Sequence, residues 1–371
     1  MGTCPTPRRI RLVQRTILSI FPAPPSSKKA VNRAGKAIAS GTAIDSDYAL
    51  VDQWRAAHGY VINTFQIFFK RRIETIECGA EFAQRLKRRN TVIDKISRTH
   101  PDGSLLMGDV TSMHDFAGCR LIFNSVDELN NFRKYVHSSA SMGNVYHKLR
   151  HDLDKYDYIA HPKPSGYRGI HDVFSHHPRP HRRKVPASTP WQGLFVEVQY
   201  RTRVQHAWAT ALEISDIIDG QRTKFDLTES KRVRFFAVAS ELLARKYEGI
   251  SNSLTNLNYD DIINEFNDLE NELGILRRLE ALRQSIGFEK IKIHNVLNIM
   301  KNENEEMRLE IENFKNSALA IKRATELEAD ENSINAVYVR ADNPAQARSA
   351  YRNYFNDPVD FVKLVKDALR A

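Results

Sequence analysis

The sequence predicts an α/β (α+β) fold: a mixed β-sheet with helices packed on it. Three observations carry this expectation. Cys119–Phe123 (CRLIF) is a short apolar run, and Leu194–Tyr200 (LFVEVQY) alternates with the two-residue period of a strand. Leu50, Trp54, Ala57, Val61, Phe65, Phe68 and Phe69 recur at three- and four-residue steps, the period of a helix face. The two kinds of segment do not alternate regularly, which excludes a simple βαβ array. With 371 residues, 42% hydrophobic and 27% charged, the chain has enough apolar mass for one sizeable core and a smaller unit.

The elements follow in order. Residues 1–40 read as a basic, Pro-punctuated tail, poorly ordered up to about Ala37. Its ILSIF run, behind Arg8, Arg9, Arg11 and Arg15, is far short of the roughly 7–15 apolar residues of a signal core. Ser46 caps a helix to about Glu77. Glu81–Arg89 reads as a strand and TVIDKISRT as a short helix behind it. Ser125, with Glu128 completing a capping box, starts the helix VDELNNFRKYVHSS. Val145–Ile159, Tyr167–Phe174 and Leu194–Tyr200 are expected strands. Thr202 and Thr228 open two further helices. Residues 41–258 form the main domain in this reading. Residues 259–329, rich in Glu, Asn, Lys and Leu, read as a helical connecting region. Residues 330–371 read as a small strand-helix-helix unit beginning with SINAVYVR.

Charge narrows the function classes. The first hundred residues hold 18 Lys+Arg against 7 Asp+Glu, and the rest is close to neutral. That asymmetry points to a polyanionic partner, nucleotide or nucleic acid. Cys4, Cys78 and Cys119 are odd in number and far apart, so no disulfide framework or CxxC pair can be drawn, and a reducing cytoplasm fits. No apolar run approaches the roughly 18 residues of a membrane helix.

Four clusters carry candidate chemistry. Arg85, Lys87, Thr91 and Lys95 fall at steps of two, four and four across a strand end and a helix start, a pattern suited to a triphosphate. Asp115 precedes the CRLIF strand, with Gly118 and Arg120 behind it, and suits a magnesium ligand. The rigid loop Pro162–Gly166 presents Tyr167 and Arg168, a pair that can stack on a base and take phosphate; a plain Pro-Gly turn is the alternative. Glu197 shares a strand face with Phe195 and Gln199 and is followed by Arg201, either a metal and phosphate site or a solvated edge strand.

Together these motifs, RxKxxxTxxxK (Arg85–Lys95), DFAGCR (Asp115–Arg120), PKPSGYRGIH (Pro162–His171) and VEVQYRT…QHAWA (Val196–Ala209), resemble the RelA/SpoT-type alarmone synthetase family. The resemblance implies a nucleotidyltransferase-like synthetase core and a Mg²⁺-dependent pyrophosphokinase that moves the β,γ-diphosphate of ATP to a ribose 3′-hydroxyl. By that likeness Arg85, Lys87, Thr91, Lys95 and Arg120 hold ATP. Asp115 and Glu197 are the catalytic, metal-holding pair. Tyr167 stacks on the acceptor base, and Arg168, His171, Gln199 and Arg201 complete the acceptor side. Two departures stand out: Gly169 in YRGIH where the family often has Ser, and Thr91 where Ser is usual. Neither removes a catalytic group. The pairs His114-Asp115, His151-Asp152 and His171-Asp172 read as chance neighbours or as parts of these motifs, so synthesis rather than alarmone hydrolysis is expected.

The last of the four motifs resembles the toxic branch of the family, in which the acceptor can be the 3′-terminal adenosine of tRNA; guanosine alarmone synthesis and a silent RNA-binding module are the alternatives. Synthetase motifs followed by a unit with Tyr351-Arg352-Asn353-Tyr354 resemble the CapRel-type fused toxin–antitoxins of anti-phage defence. That likeness implies tyrosines that block the ATP site until a phage protein, such as a major capsid protein, binds. The competing reading makes Tyr351 and Tyr354 core anchors. His171, His176, His177 and His181 read as a solvated basic loop rather than a zinc site, and His176–Lys184 could steer an RNA backbone. Trp208 reads as core.

Overall fold

The computed structural model of the chain describes residues 21–100, 102, 104–142, 146–180, 185–186, 188–218, 231–281, 292–301, 307–328, 330, 332–340 and 358–370. Two sheets organise them. The larger contains β1 (Glu81–Leu86), β2 (Ala117–Phe123), β3 (Lys148–Leu149), β4 (Ile170–Ser175) and β5 (Phe195–Thr202), in the spatial order β1-β2-β5-β4-β3. β2 and β5 run parallel; every other pair in this sheet is antiparallel. The sheet is therefore mixed, as expected, but β5 is its central strand rather than an edge.

The central position follows from the alternation. Val196, Val198 and Tyr200 are fully buried on one face, where a long helix crosses the sheet. That helix, α2 (Asp45–Thr75), follows α1 (Lys28–Ala39) and buries Phe65 and Phe69 against the sheet, with ring centroids 5.6 Å from Phe174 and 6.4 Å from Tyr200. α2 starts ahead of Ser46, because the Asp47 carboxylate accepts the Ile44 N–H at 3.1 Å. α3 (Arg89–Ile96) and α4 (Val126–Val136) complete this layer. Ser125 caps α4 by accepting the Glu128 N–H, while the Glu128 carboxylate reaches past the cap to the backbone N–H groups of Asn124 and Gly79.

A second core lies among α5 (Arg203–Ile218), α6 (Lys231–Leu243), α7 (Tyr259–Leu273), α8 (Ile275–Ala281) and the last helix, α10 (Val359–Ala368). Phe361 of α10 packs 6.3 Å from Phe236, and the Tyr247 and Tyr259 hydroxyls donate to the carbonyls of Leu364 and Ala368. Trp208 is in this core, as expected, donating its indole N–H to the Phe236 carbonyl at 2.7 Å.

Three expectations need correction. Residues 28–39 of the supposed tail form α1, capped by Ser27 and burying Val31, Ala34 and Ile38; the apolar stripe is short, but α2 offers it a partner. Phe21 is buried as well, and Trp191 donates to the Pro22 carbonyl. Among the described residues of the expected strand 145–159, only Lys148–Leu149 is strand: Asp157 accepts the N–H groups of Ile159 and Ala160 and closes a turn. Finally, residues 259–329 are not all helical. β6 (His294–Lys301) and β7 (Met307–Phe314) precede α9 (Ser317–Glu328), and β8 (Ser333–Arg340) completes an antiparallel sheet of order β7-β6-β8. β6 is central, so Val296, Leu297 and Ile299 are all buried and its pattern lacks alternation. Its Asn295 and Asn298 are buried too, satisfied in part by the Val339 carbonyl and the Ser333 hydroxyl. No helix among the described residues is long and apolar enough to cross a membrane.

The small sheet docks beside β1, with β8 against β1. An ion pair ties the two bodies of the fold: Arg55 of α2 donates to Glu328 of α9 at 2.7 Å, with both side chains about 95% buried (5% and 6% exposed). Burial pushes the Arg55 pKa down and the Glu328 pKa up, so desolvation outweighs attraction and the pair gives position rather than surplus stability. Removing one partner strands the other charge. Glu328→Ala is expected to destabilise the protein by roughly 3–5 kcal/mol, read as a fall in the urea midpoint, whereas paired replacement of Arg55 and Glu328 by Met and Leu recovers most of it. A Glu328→Ala midpoint equal to wild type would remove the pair from any structural role.

Candidate active site

The site grows from the register of three strands. Gly118 of β2 faces Glu197 of β5, and Arg120 faces Gln199; across β5, His171 of β4 also faces Gln199. Opposed residues share a face, so Arg120, Gln199 and His171 form one row. Arg85 of β1 opposes Gly118, whose missing side chain leaves the floor between Arg85 and Glu197 open. This face lies opposite the one that α2 covers.

Asp115 precedes β2. Its carboxylate accepts Lys87 Nζ at 2.8 Å and Lys95 Nζ at 3.0 Å, so the first and second sequence motifs meet on one side chain. Burial pushes the Asp115 carboxyl up, but the two ammonium groups more than offset it and hold the pKa at about 2. Lys87 is positioned from behind: its carbonyl accepts Arg55 Nε at 2.5 Å and its N–H donates to the Phe116 carbonyl. Thr91 lies in the first turn of α3, whose start is tied to α2 by the Arg89–Asp52 ion pair at 2.9 Å. Arg120 lies among Arg201 and Arg85; burial, then these neighbours, bring its pKa down to about 10.

On the other side, Glu197 accepts Gln199 Nε2 at 2.6 Å, and Gln199 in turn accepts Arg201. The Tyr167 hydroxyl accepts both Arg201 Nε and Nη2, at 3.3 and 3.1 Å, and lies 2.5 Å from His171 Nε2. His171 Nδ1 is 3.6 Å from Glu197. Burial brings the His171 pKa down to about 4, so the neutral ring accepts the tyrosine proton. The loop that presents Tyr167 needs Gly166: φ is +87°, and a Cβ there would meet the Ala237 Cα at 2.8 Å.

Arg168 is not brought to this site. It is buried and points into the second core, pairing with Glu241 at 2.6 Å and donating to Ser240 and Asn252. Its sequence neighbour suggested phosphate binding; the loop turns the two side chains apart, and Arg168 anchors the loop on α6. Tyr351 and Tyr354, like His181, lie outside the described residues. Four residues were missed. His114 feels both Asp115 and Glu197, while burial depresses its pKa. Lys163 and Tyr158 also interact with Glu197. Arg55 supports Lys87, and only its distance in sequence hid it. Lys163 lies inside the recognised Pro162–His171 motif and Tyr158 four residues before it, close enough to have been flagged.

Asp115 and Glu197 are 22% and 19% exposed, accessible to a ligand yet fixed. Two carboxylates fit Mg²⁺ held jointly with nucleotide phosphates, since Mg²⁺ takes one or two protein carboxylates and keeps its other positions for phosphate and water. Among the described residues no three His, Cys, Asp or Glu side chains come together as a metal cluster.

A family model described as the region found in RelA / SpoT proteins matches residues 84–215. That segment is similar to the RelA/SpoT region; it runs from the Arg85 strand into α5 and contains both carboxylates. No curated protein matches the chain. Among solved structures it is similar to the small alarmone synthetase 1 from Bacillus subtilis bound to its product pppGpp, at 21% identity over 53% of this chain and 92% of that one, TM-score 0.38. The same synthetase bound to AMPCPP gives 16% identity over 51% and 88%, TM-score 0.34. The protein smu.1046c from Streptococcus mutans UA159 gives 18% over 50% and 84%, TM-score 0.32.

A neutral His171 has a measurable consequence. Its folded pKa lies below the unfolded value of 6.5, so the unfolded chain binds the extra proton first. His171 therefore lowers folding stability as pH falls from 6.5 towards about 4. The His171 imidazole resonances are expected to titrate near pH 4. A midpoint between 6 and 7 would show a charged ring at neutral pH and overturn the hydrogen-bond assignment.

Proposed function

We propose that this protein moves the β,γ-diphosphate of ATP to the 3′-hydroxyl of the 3′-terminal adenosine of tRNA, that this stops translation in anti-phage defence, and that its C-terminal part holds it inactive until a phage protein, such as a major capsid protein, releases it. The observation that carries the catalytic half is the convergence of Lys87, Lys95 and Asp115 beside the Arg120–Glu197–Gln199 face. In this reading Arg85, Lys87, Thr91, Lys95 and Arg120 bind ATP, and Asp115 with Glu197 holds Mg²⁺, which screens the triphosphate charge when bound. Diphosphate transfer needs alignment and charge stabilisation more than covalent chemistry. Lys87 and Lys95 supply cations already fixed by Asp115. Glu197, placed between Gln199 and His171, is positioned to take the 3′-hydroxyl proton. Tyr167 stacks on the acceptor base, with its hydroxyl pinned by Arg201 and His171. The basic first hundred residues support a tRNA acceptor. The likeness of the Val196–Ala209 motif to the toxic branch favours it over GDP or GTP.

One contact supports autoinhibition. β8 packs against β1 beside Arg85, and a cavity of about 60 Å³ between α2, β1 and α9 is lined by Arg55, Gln84, Arg85, Glu328 and Tyr338. Tyr351 and Tyr354, in the segment between β8 and α10, are the proposed plug of the adenine region.

Two experiments test the two halves. Purified protein with γ-labelled ATP and Mg²⁺ is offered tRNA, GDP and GTP, with Glu197→Ala as control. Label in tRNA that Glu197→Ala abolishes is expected; label only in a guanosine nucleotide makes the protein an alarmone synthetase, and no label from any preparation favours a silent RNA-binding module. The double variant Tyr351→Ala/Tyr354→Ala is expected to label tRNA without a trigger at ten-fold or more the wild-type rate. A folded double variant with the wild-type rate sinks the plug and leaves both tyrosines as core anchors.

A further inference from the structure

A row of aromatic rings leaves the acceptor side of the site. From Tyr167 the next ring is Tyr158, 5.8 Å away centroid to centroid; then Tyr156, 6.4 Å from Tyr158; then His151, 4.6 Å from Tyr156. Tyr158, Tyr156 and His151 are half-exposed. Two exposed lysines ride on the row: Lys163 Nζ lies 4.3 Å from the Tyr158 centroid and 5.4 Å from that of Tyr167, and Lys155 Nζ lies 5.4 Å from that of Tyr156. The row starts at the reacting end, because the Tyr158 ring lies 5.4 Å from that of His171, whose Nδ1 is 3.6 Å from Glu197.

A mononucleotide needs one ring. Tyr158 and Tyr156, each with a lysine beside it, have no work to do in binding a single base and are too exposed to be core, whereas His151 is held in the fold by accepting the Val173 N–H at 2.9 Å. Tyr158 meets Tyr167 edge-on at 69° and Tyr156 at 39°, so each ring presents a face of its own, and separate aromatic faces beside cations are a way proteins follow a single strand, with stacking independent of sequence. From this we infer that Tyr158 and Tyr156, flanked by Lys163 and Lys155, form a platform for the unpaired nucleotides that precede the reacting 3′-terminal nucleotide of an RNA. The inference rests on the proposed RNA acceptor and adds how it is gripped: Tyr167 takes the terminal base, and Tyr158 and Tyr156 take the bases before it. Asp152 and Asp154 are exposed in the same loop, so phosphates track the lysine side and stacking supplies most of the affinity. Asp157 is no competitor, since its carboxylate is occupied by the backbone of Ile159 and Ala160.

The test is binding of a fluorescent single-stranded trinucleotide RNA, of AMP and of GDP to the full chain, with Tyr156→Ala, Tyr156→Phe, Tyr158→Ala, Tyr158→Phe and Lys155→Gln. The wild type is expected to bind the trinucleotide well above AMP. Each Ala variant is expected to lose about 5- to 150-fold in trinucleotide affinity, the equivalent of one stacked base, while the Phe variants retain it. Lys155→Gln is expected to reduce the slope of log affinity against log salt by about 0.7, one phosphate contact on a single strand. Trinucleotide affinity unchanged in both Ala variants overturns the platform and leaves an RNA acceptor standing. A wild type that binds GDP but no trinucleotide overturns the platform and the RNA acceptor together. If either Ala variant unfolds, the salt slope of Lys155→Gln decides: a wild-type slope there also overturns the platform.

Discussion

The parallel pairing of β2 with β5 is the constraint on which the rest of the site depends. Hydrogen bonding in that ladder fixes Gly118 opposite Glu197, and Asp115 stands three residues before Gly118. Glu197 is therefore placed by backbone register, and Asp115 by the turn that enters β2 and by the two lysines it accepts. A one-residue slip would turn Glu197, Gln199 and Arg201 towards α2 and bring Val196, Val198 and Tyr200 to the ligand face. The buried side of β5 forbids that slip, because Tyr200 and both valines are fully enclosed. Packing on one face thus guards the chemistry on the other.

Charge is handled differently on the two sides of this frame. On the ATP side two lysines share Asp115, an arrangement that keeps the carboxylate ionised and the ammonium groups aimed. Around Tyr167 the His171 ring is neutral and serves as a hydrogen-bond acceptor, so the charges there are carried by Glu197, Arg201 and Lys163. In the proposed reaction this places cations beside the phosphates and a carboxylate beside the hydroxyl that loses its proton.

Arg55 links this frame to the C-terminal part of the chain. One guanidinium touches the Lys87 carbonyl and the Glu328 carboxylate, so the small sheet's helix and the lysine that holds Asp115 share a partner. A buried cation with two such contacts resists being left with one. The last helix makes a second link. Phe361 meets Phe236, Phe236 meets Trp208, and Trp208 lies 6.4 Å from Tyr167. Segments after residue 316 thus reach both sides of the site, one through an ion pair and one through packed rings.

The sequence by itself determined the mixed sheet, the strand alternation that marks Glu197, and the motifs that bring Arg85, Lys87, Lys95, Asp115, Arg120 and Tyr167 into consideration. These are local signals, carried by residues a few positions apart, and the strand and helix periods express them directly. Tertiary structure alone decided what depends on partners distant in the chain. β6 reads as helix until β7 and β8 flank it, because a strand buried on both faces has no alternation to read. α1 reads as tail until α2 covers Val31, Ala34 and Ile38. Arg168 stands next to Tyr167 in sequence and reads as a ligand contact, yet Glu241, 73 positions later, draws it into the second core. Arg55 reads as one more cation on a helix until Glu328, 273 positions away, meets it. A side chain's direction is set by what lies opposite it in space, and periodicity within a segment does not contain that information.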